Sequence, residues 1–245
     1  MGLFDELKNL SDISFRDIYH RFIYIHCREL LLEIIPEEIN DSITGAIAYC
    51  YIDRTEGISF RLLMTAIMKP DSLQVFEYSH WSDTIIIMRF RDGNVKMSEM
   101  HHGNTSLYLY ALDPKKYKYL DLSVINFNVD IFNEIKDLVD EQYYAGDLVE
   151  EFRSERFMAL DKYRHEWYPD DVKVILFEEG KEPETVWVRL TGITPDEELF
   201  GELLNEPYQD FGFHEGAFIE ITEINHEDDS FLVFTGRVGN KKAEE

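Results

Sequence analysis

Cysteine is almost absent from this chain. Its two residues among 245, Cys27 and Cys50, stand apart in apolar runs with no C-x-x-C pair and no metal-ligating neighbour at useful spacing. That pattern argues against a disulfide framework or a zinc site, and buried, reduced thiols are expected. Long apolar runs are missing too, none approaching the roughly 20 residues that span a bilayer. Met1-Gly2-Leu3-Phe4-Asp5-Glu6 is too acidic for a secretory signal, and Glu6 stands where N-myristoylation requires Ser or Thr. A cytoplasmic protein without membrane contact is expected.

Catalytic signatures are equally scarce. The chain has no G-x-S-x-G elbow, no G-x-G-x-x-G or G-x-x-x-x-G-K-[ST] phosphate loop, and no H-E-x-x-H. Of eight histidines only His101-His102 cluster. Neighbours on a strand point to opposite faces, so the pair reads as an exposed turn rather than a metal site. Glu197-Glu198 and Glu227-Asp228-Asp229 read as solvated turns, without the alternating ligands of a calcium loop. No cofactor is expected.

Positive charge is the third deficit: 24 Lys+Arg stand against 49 Asp+Glu, a net charge of −25. Up to Glu150 there are 14 basic and 25 acidic residues, and beyond it 10 basic and 24 acidic. The 47 residues between Arg189 and Arg237 hold no Lys or Arg and 12 carboxylates. Such a field repels phosphate backbones and anionic lipid, which disfavours nucleic-acid and membrane binding, and it steers a basic protein inward. The candidate binding residues are Asp196, Glu197, Glu198, Glu202, Glu206, Asp210, Glu215, Glu227, Asp228 and Asp229. The competing explanation is that acidity serves solubility alone.

What is present is enough to fold. Apolar residues make up 44% of the chain, including 17 Phe, 14 Tyr and 3 Trp, which separates it from disordered sequences of similar charge. The pattern is α+β in two parts. In the first, residues 1–145, Ser14 opens a helix whose stripe is Phe15, Ile18, Phe22 and Ile25, ended by Pro36. An antiparallel meander follows over Ala46–Ile52, Ile58–Met68, Ser72–Tyr78, Thr84–Phe90, Asn94–Met100 and Ser106–Leu112, with Asp92-Gly93 as a hairpin turn. Residues 39–51 also suit a helix. A helix from Asp130 to Glu141 turns Ile131, Phe132, Ile135, Leu138 and Val139 inward. Tyr78, His80, Trp81, Tyr108 and Tyr110 are aromatics for a core or for a protein-binding surface.

The second part, residues 146–245, is acidic. It begins with a helix over Leu148–Trp167, stopped by Pro169. Five strands follow: Val172–Phe177, Thr185–Leu190, Leu199–Leu204, Ala217–Ile224 and Ser230–Val238. They are expected to form a small curved sheet or partial barrel. Trp187 reads as a core anchor, and Asn205-Glu206-Pro207 as a strand terminator in which Asn bonds its own backbone.

Asp171–Phe177, Glu184–Leu190 with its Trp187-Val188 pair, Phe200-Gly201-Glu202-Leu203-Leu204-Asn205-Glu206-Pro207 and Phe213–Ile221 together resemble a bacterial family, domain of unknown function 2314. The resemblance covers about 148–224, and Ala217 departs from it where a polar turn residue is commoner. It implies a helix followed by four strands and carries no activity over. The expectation is a non-enzymatic protein-binding module, in concrete form an immunity or antitoxin-like protein neutralising a basic partner. The alternatives are a carboxylate- or metal-dependent hydrolase and a structural protein.

Overall fold

Apolar side chains at nearly every position fit a helix and a doubly buried strand equally well, and Phe22–His26 shows which wins here. The computed structural model describes residues 2–34, 41–76, 86–91, 94–100, 106–109, 112–125, 127–193, 198–226 and 229–239. The helix expected from Ser14 to Pro36 is broken into α1 (Phe15–Ile18), a strand (Phe22–His26) and α2 (Arg28–Ile34). Ser14 does cap α1, its Oγ accepting the Arg16 N–H. Then His20 takes φ 58°, the one non-glycine residue with positive φ among those described. Its N–H donates to the Cys50 carbonyl, and the Arg21 carbonyl accepts the Cys50 N–H. The chain is thereby handed into a sheet, where Phe22, Ile23, Tyr24 and Ile25 are all buried.

The strands of this part are β1 (Lys8–Asn9), β2 (Phe22–His26), β3 (Gly45–Asp53), β4 (Gly57–Met68), β5 (Leu73–Phe76), β6 (Ile86–Arg91), β7 (Asn94–Met100), β8 (Ser106–Tyr108) and β9 (Lys118–Asp121). Residues 45–51 are thus strand, not helix. A curled antiparallel sheet runs β1-β9-β2-β3-β4-β5, with β8 also on β4. The expected meander holds from β3 to β5, with the unexpected strand β2 added beside β3, but β6 and β7 form their own hairpin and β9 returns to lie beside β2. The turn residues Asp92 and Gly93 lie outside the described residues. Gly45 opens β3 because a Cβ there would sit 2.0 Å from the Ile25 carbonyl oxygen.

Helix α3 (Asn133–Gln142) covers one face of this sheet, against Phe22, Tyr49, Tyr51 and Leu120. Phe132, Ile135 and Val139 face inward as expected; Leu138 does not and is 36% exposed. Cys27 and Cys50 are buried free thiols, burial pushing Cys27 up to about 12 and Cys50 also well above its ordinary value.

The chain divides into two compact units, Met1–Tyr143 and Tyr144–Glu245. In the second, the helix expected over Leu148–Trp167 stops early: α4 spans Asp147–Arg153, followed by 3-10 turns over Glu155–Tyr163 interrupted at Phe157. A continuing α-helix would bond the Phe152 carbonyl to the amide four residues on. The Arg164 guanidinium takes that carbonyl instead, along with the Pro169 carbonyl and Asp161.

Five strands, β10 (Asp171–Leu176), β11 (Glu184–Ile193), β12 (Leu199–Leu203), β13 (Phe218–His226) and β14 (Asp229–Gly239), form a closed barrel. All neighbours are antiparallel except β14 and β10, which close the ring in parallel at Ile175 and Val233. Strand β11 alternates buried and part-exposed from end to end. Val172, Val174, Val186, Val188, Ile219 and Ile221 fill the interior. Gly201 lets β12 approach β11, since a Cβ there would lie 2.5 Å from the Arg189 carbonyl oxygen.

Candidate functional site

Strand directions sort the connections of the barrel onto two ends. Residues 177–183 and 204–217 leave one rim; Ile193, Glu198, His226 and Asp229 lie at the other. The second rim is covered by α4 and the 3-10 turns, whose Phe152, Leu160 and Tyr163 enter the core. Phe211 and Phe213 enter the core from the 204–217 connection at the first rim.

This division separates the candidate acids. Glu206, Asp210 and Glu215 lie on the first rim, exposed, with Glu178, Glu179 and Glu182 from the facing connection. Glu198 and the exposed Asp229 belong to the second. Glu202 sits on the wall opposite Arg189. Asp196, Glu197, Glu227 and Asp228 lie outside the described residues, as do Tyr78, His80, Trp81, Tyr110 and His101-His102. The five residues of β12 set the rims roughly 17 Å apart at about 3.3 Å per residue. Several carboxylates are already matched within the chain: Glu220 by Arg237 at 3.4 Å and Glu223 by Lys162 at 3.1 Å.

The first rim is built to hold still. Glu184 is 9% exposed, and its carboxylate accepts the Tyr208 N–H at 2.6 Å and the Gln209 N–H at 3.2 Å. Gln209 in turn bonds the Glu182 N–H and carbonyl at 3.2 and 2.8 Å. Asn205 does not bond its own backbone: its Oδ1 accepts the Trp187 N–H at 2.8 Å, while the Leu204 N–H donates to the Trp187 carbonyl at 2.9 Å. Trp187 is not in the core either. It lies half-buried on the outer wall, its ring 4.9 Å from the His165 ring and 5.6 Å from the Lys173 ammonium. The strand's alternation, which turns Val186 and Val188 inward, turns Trp187 out.

Glu206 clamps the loop's far side, one oxygen 2.6 Å from His214 Nδ1 and the other accepting the Glu215 N–H at 2.9 Å. The Glu215 N–H and His214 hold the Glu206 carboxyl below its usual range, and Glu206 raises the His214 pKa. Lys181 is the single Lys or Arg in either connection of this rim. It is spent internally, bonded to Glu178 and the Asp210 carbonyl and lying 4.9 Å over the Phe211 ring. Two apolar side chains stand out of this framework: Tyr208 is 98% exposed and Phe177 65%. Sequence reasoning singled out neither. Their signal was an aromatic at a turn, Pro207-Tyr208, and an aromatic one residue past a strand end.

Two other constellations gather chemistry-bearing residues that sequence spacing did not connect. At the second rim Tyr163 Oη lies 2.8 Å from both Glu223 and Ser230 Oγ, and Lys162 also meets Ser230. A serine–lysine nucleophile needs a neutral amine, yet hydrogen bonds to Tyr163 and Glu223 raise the Lys162 pKa. In the first unit Asp140 accepts Tyr49 Oη at 2.5 Å and Lys136 Nζ at 2.7 Å, with His20 Nδ1 2.9 Å away. Burial works to raise the Asp140 carboxyl, and the bonds to His20, Lys136 and Tyr49 override it, down to about 2. Burial and Asp140 push the Tyr49 hydroxyl up. The group ties α3 to β3 and to the His20 turn.

Among the described residues no three His, Cys, Asp or Glu side chains are grouped to hold a metal ion, and no helix is long and apolar enough to cross a membrane. No protein-family model matches the chain, no curated protein matches it, and no solved structure matches it.

Proposed function

We propose that this is a non-enzymatic, cytoplasmic protein-binding module whose acidic barrel rim captures a basic protein, as an immunity or antitoxin-like protein would capture a cationic toxin. The observation that carries the reading is Tyr208, 98% exposed at the tip of a loop whose backbone is pinned by the buried Glu184 carboxylate. An exposed aromatic on a rigid support, ringed by charge, is the composition of a binding hot spot and its rim. A loop fixed in advance loses little entropy on docking. Six carboxylates from residues 177–183 and 204–217 supply the steering field. The hydrolase alternative finds less support, because the candidate acids among the described residues are divided between two rims and the wall instead of converging in one pocket. The resemblance to domain of unknown function 2314 belongs with this proposal, since its Trp187 and Asn205 are the residues that join the rim loop to the barrel wall.

The test is affinity capture from the source organism at low ionic strength with wild-type protein and a Tyr208→Ala/Asp210→Asn/Glu215→Gln variant in parallel. A basic protein recovered by the wild type, released by about 0.5 M salt as screening shortens to a few ångströms, and lost with the variant is expected. Recovery of nothing basic, or equal recovery by both proteins, overturns the proposal.

A further inference from the structure

We infer that the rim recognises an arginine side chain of its partner, received on the open face of Tyr208. This deepens the protein-binding reading and rests on it. The rim and the wall beside it already use their aromatic faces for cations. Lys173 lies 5.6 Å from the Trp187 ring and Lys181 4.9 Å from the Phe211 ring. Tyr208 and Phe177 are the exposed aromatics of this end, and among the described residues no ring or cation lies against either. The Tyr208 amide is bonded to Glu184, so the side chain projects from a fixed point with its ring in solvent.

Arginine fits this place better than lysine for three reasons. Its planar guanidinium stacks on an aromatic face, it gives up hydration more readily than an ammonium, and its fork meets a carboxylate with two donors. The nearest acids in sequence suit that last role unequally. Both Glu206 oxygens are engaged, by His214 and by the Glu215 N–H, whereas Asp210 uses Oδ1 alone, for the Gly212 N–H. Asp210 therefore keeps an oxygen to offer the guanidinium edge while Tyr208 takes its face. Lysine would be drawn by the same field and could lie over the ring as Lys181 does over Phe211, but it has neither a planar face to stack nor a two-donor fork.

The experiment compares two fluorescent peptides of equal length and charge, one with four spaced arginines and one with four lysines, binding the full-length chain by anisotropy at fixed low salt. Wild type is expected to favour the arginine peptide by about two- to threefold, from the stacking and the two-donor fork that lysine lacks. Tyr208→Ala should bring the two affinities together, Tyr208→Phe should keep the preference, and Asp210→Asn should reduce it. Because Tyr208 is a solvent-exposed tip, its loss is expected to leave the fold intact, which circular dichroism checks. If both peptides bind equally to wild type, or the preference survives in Tyr208→Ala, the arginine inference falls while the acidic-rim reading stands. If neither peptide binds, both fall.

Discussion

The two units differ in how much of their strand surface reaches water. In the first, β3 and β4 are buried along almost their whole length on both faces. Polar groups there are spent on internal ties: Tyr24 to Thr44 at 2.6 Å, Tyr49 to Asp140 at 2.5 Å. In the second, a barrel has one interior, so alternate residues of its strands face outward. The difference teaches where function can reside. A sheet buried on both faces leaves few side chains to offer, whereas a small barrel presents half its strand residues and an uncovered rim, and here that rim carries acid and exposed aromatics together.

The largest expected effect tests whether the barrel unit's internal charges are as demanding as the sheet's apolar faces. Arg153 meets Asp170 with two N–H bonds of 2.9 and 2.7 Å, and the carboxylate is 3% exposed. Arg153→Met is expected to destabilise the barrel by about 3–5 kcal/mol, the cost of breaking a buried pair. Urea unfolding followed through Trp167 and Trp187 should show it. An unchanged midpoint would mean that solvent reaches Asp170.

Next in size is the tie in the sheet unit. The Asp140 carboxyl is lowered from 3.8 to about 2, so its contribution is present above about pH 4 and disappears as pH falls through 2. Asp140→Asn should cost about 2 kcal/mol at pH 7, and the gap from wild type should close towards pH 2. A pH-independent gap would assign the tie to shape rather than charge.

Asn205→Ala should cost about 1 kcal/mol, one net hydrogen bond, by freeing the Trp187 N–H. Hydrogen exchange should quicken at the Trp187 amide and across residues 204–217, with the sheet unit unaffected. Smallest of all, Tyr208→Ala should shift stability by less than about 0.5 kcal/mol while abolishing partner capture. A large stability change there would break the contrast, since the side chain would then be part of the fold and not of a surface.

The strands of the barrel were legible because they alternate and are bounded by Gly, Pro, Asn and Asp. The observed β10 to β14 each match the expected runs to within two residues, apart from the far end of β11, which continues to Ile193. Phe22–Ile25 was not legible, since four successive buried residues carry no period that distinguishes a strand from a helix. Of the site, the acids were visible as composition but Tyr208 and Phe177 were not, because nothing local says which aromatic a turn will leave outside. Trp187 misled for the same reason in reverse: its size argued for the core and its strand parity put it on the wall.

By itself, then, the amino-acid sequence determined the acidic charge, the reduced cysteines, the α+β class and the local strand pattern, all properties of composition or of nearest neighbours along the chain. Only tertiary structure decided that β14 would close onto β10, that Asp140 would meet His20 across 120 positions, and that Glu206, Asp210 and Glu215 would stand at the opposite rim from Glu198 and Asp229. Those outcomes depend on which strand pairs with which and in what direction. Pairing is selected by burial over the whole core, which no short window of sequence contains.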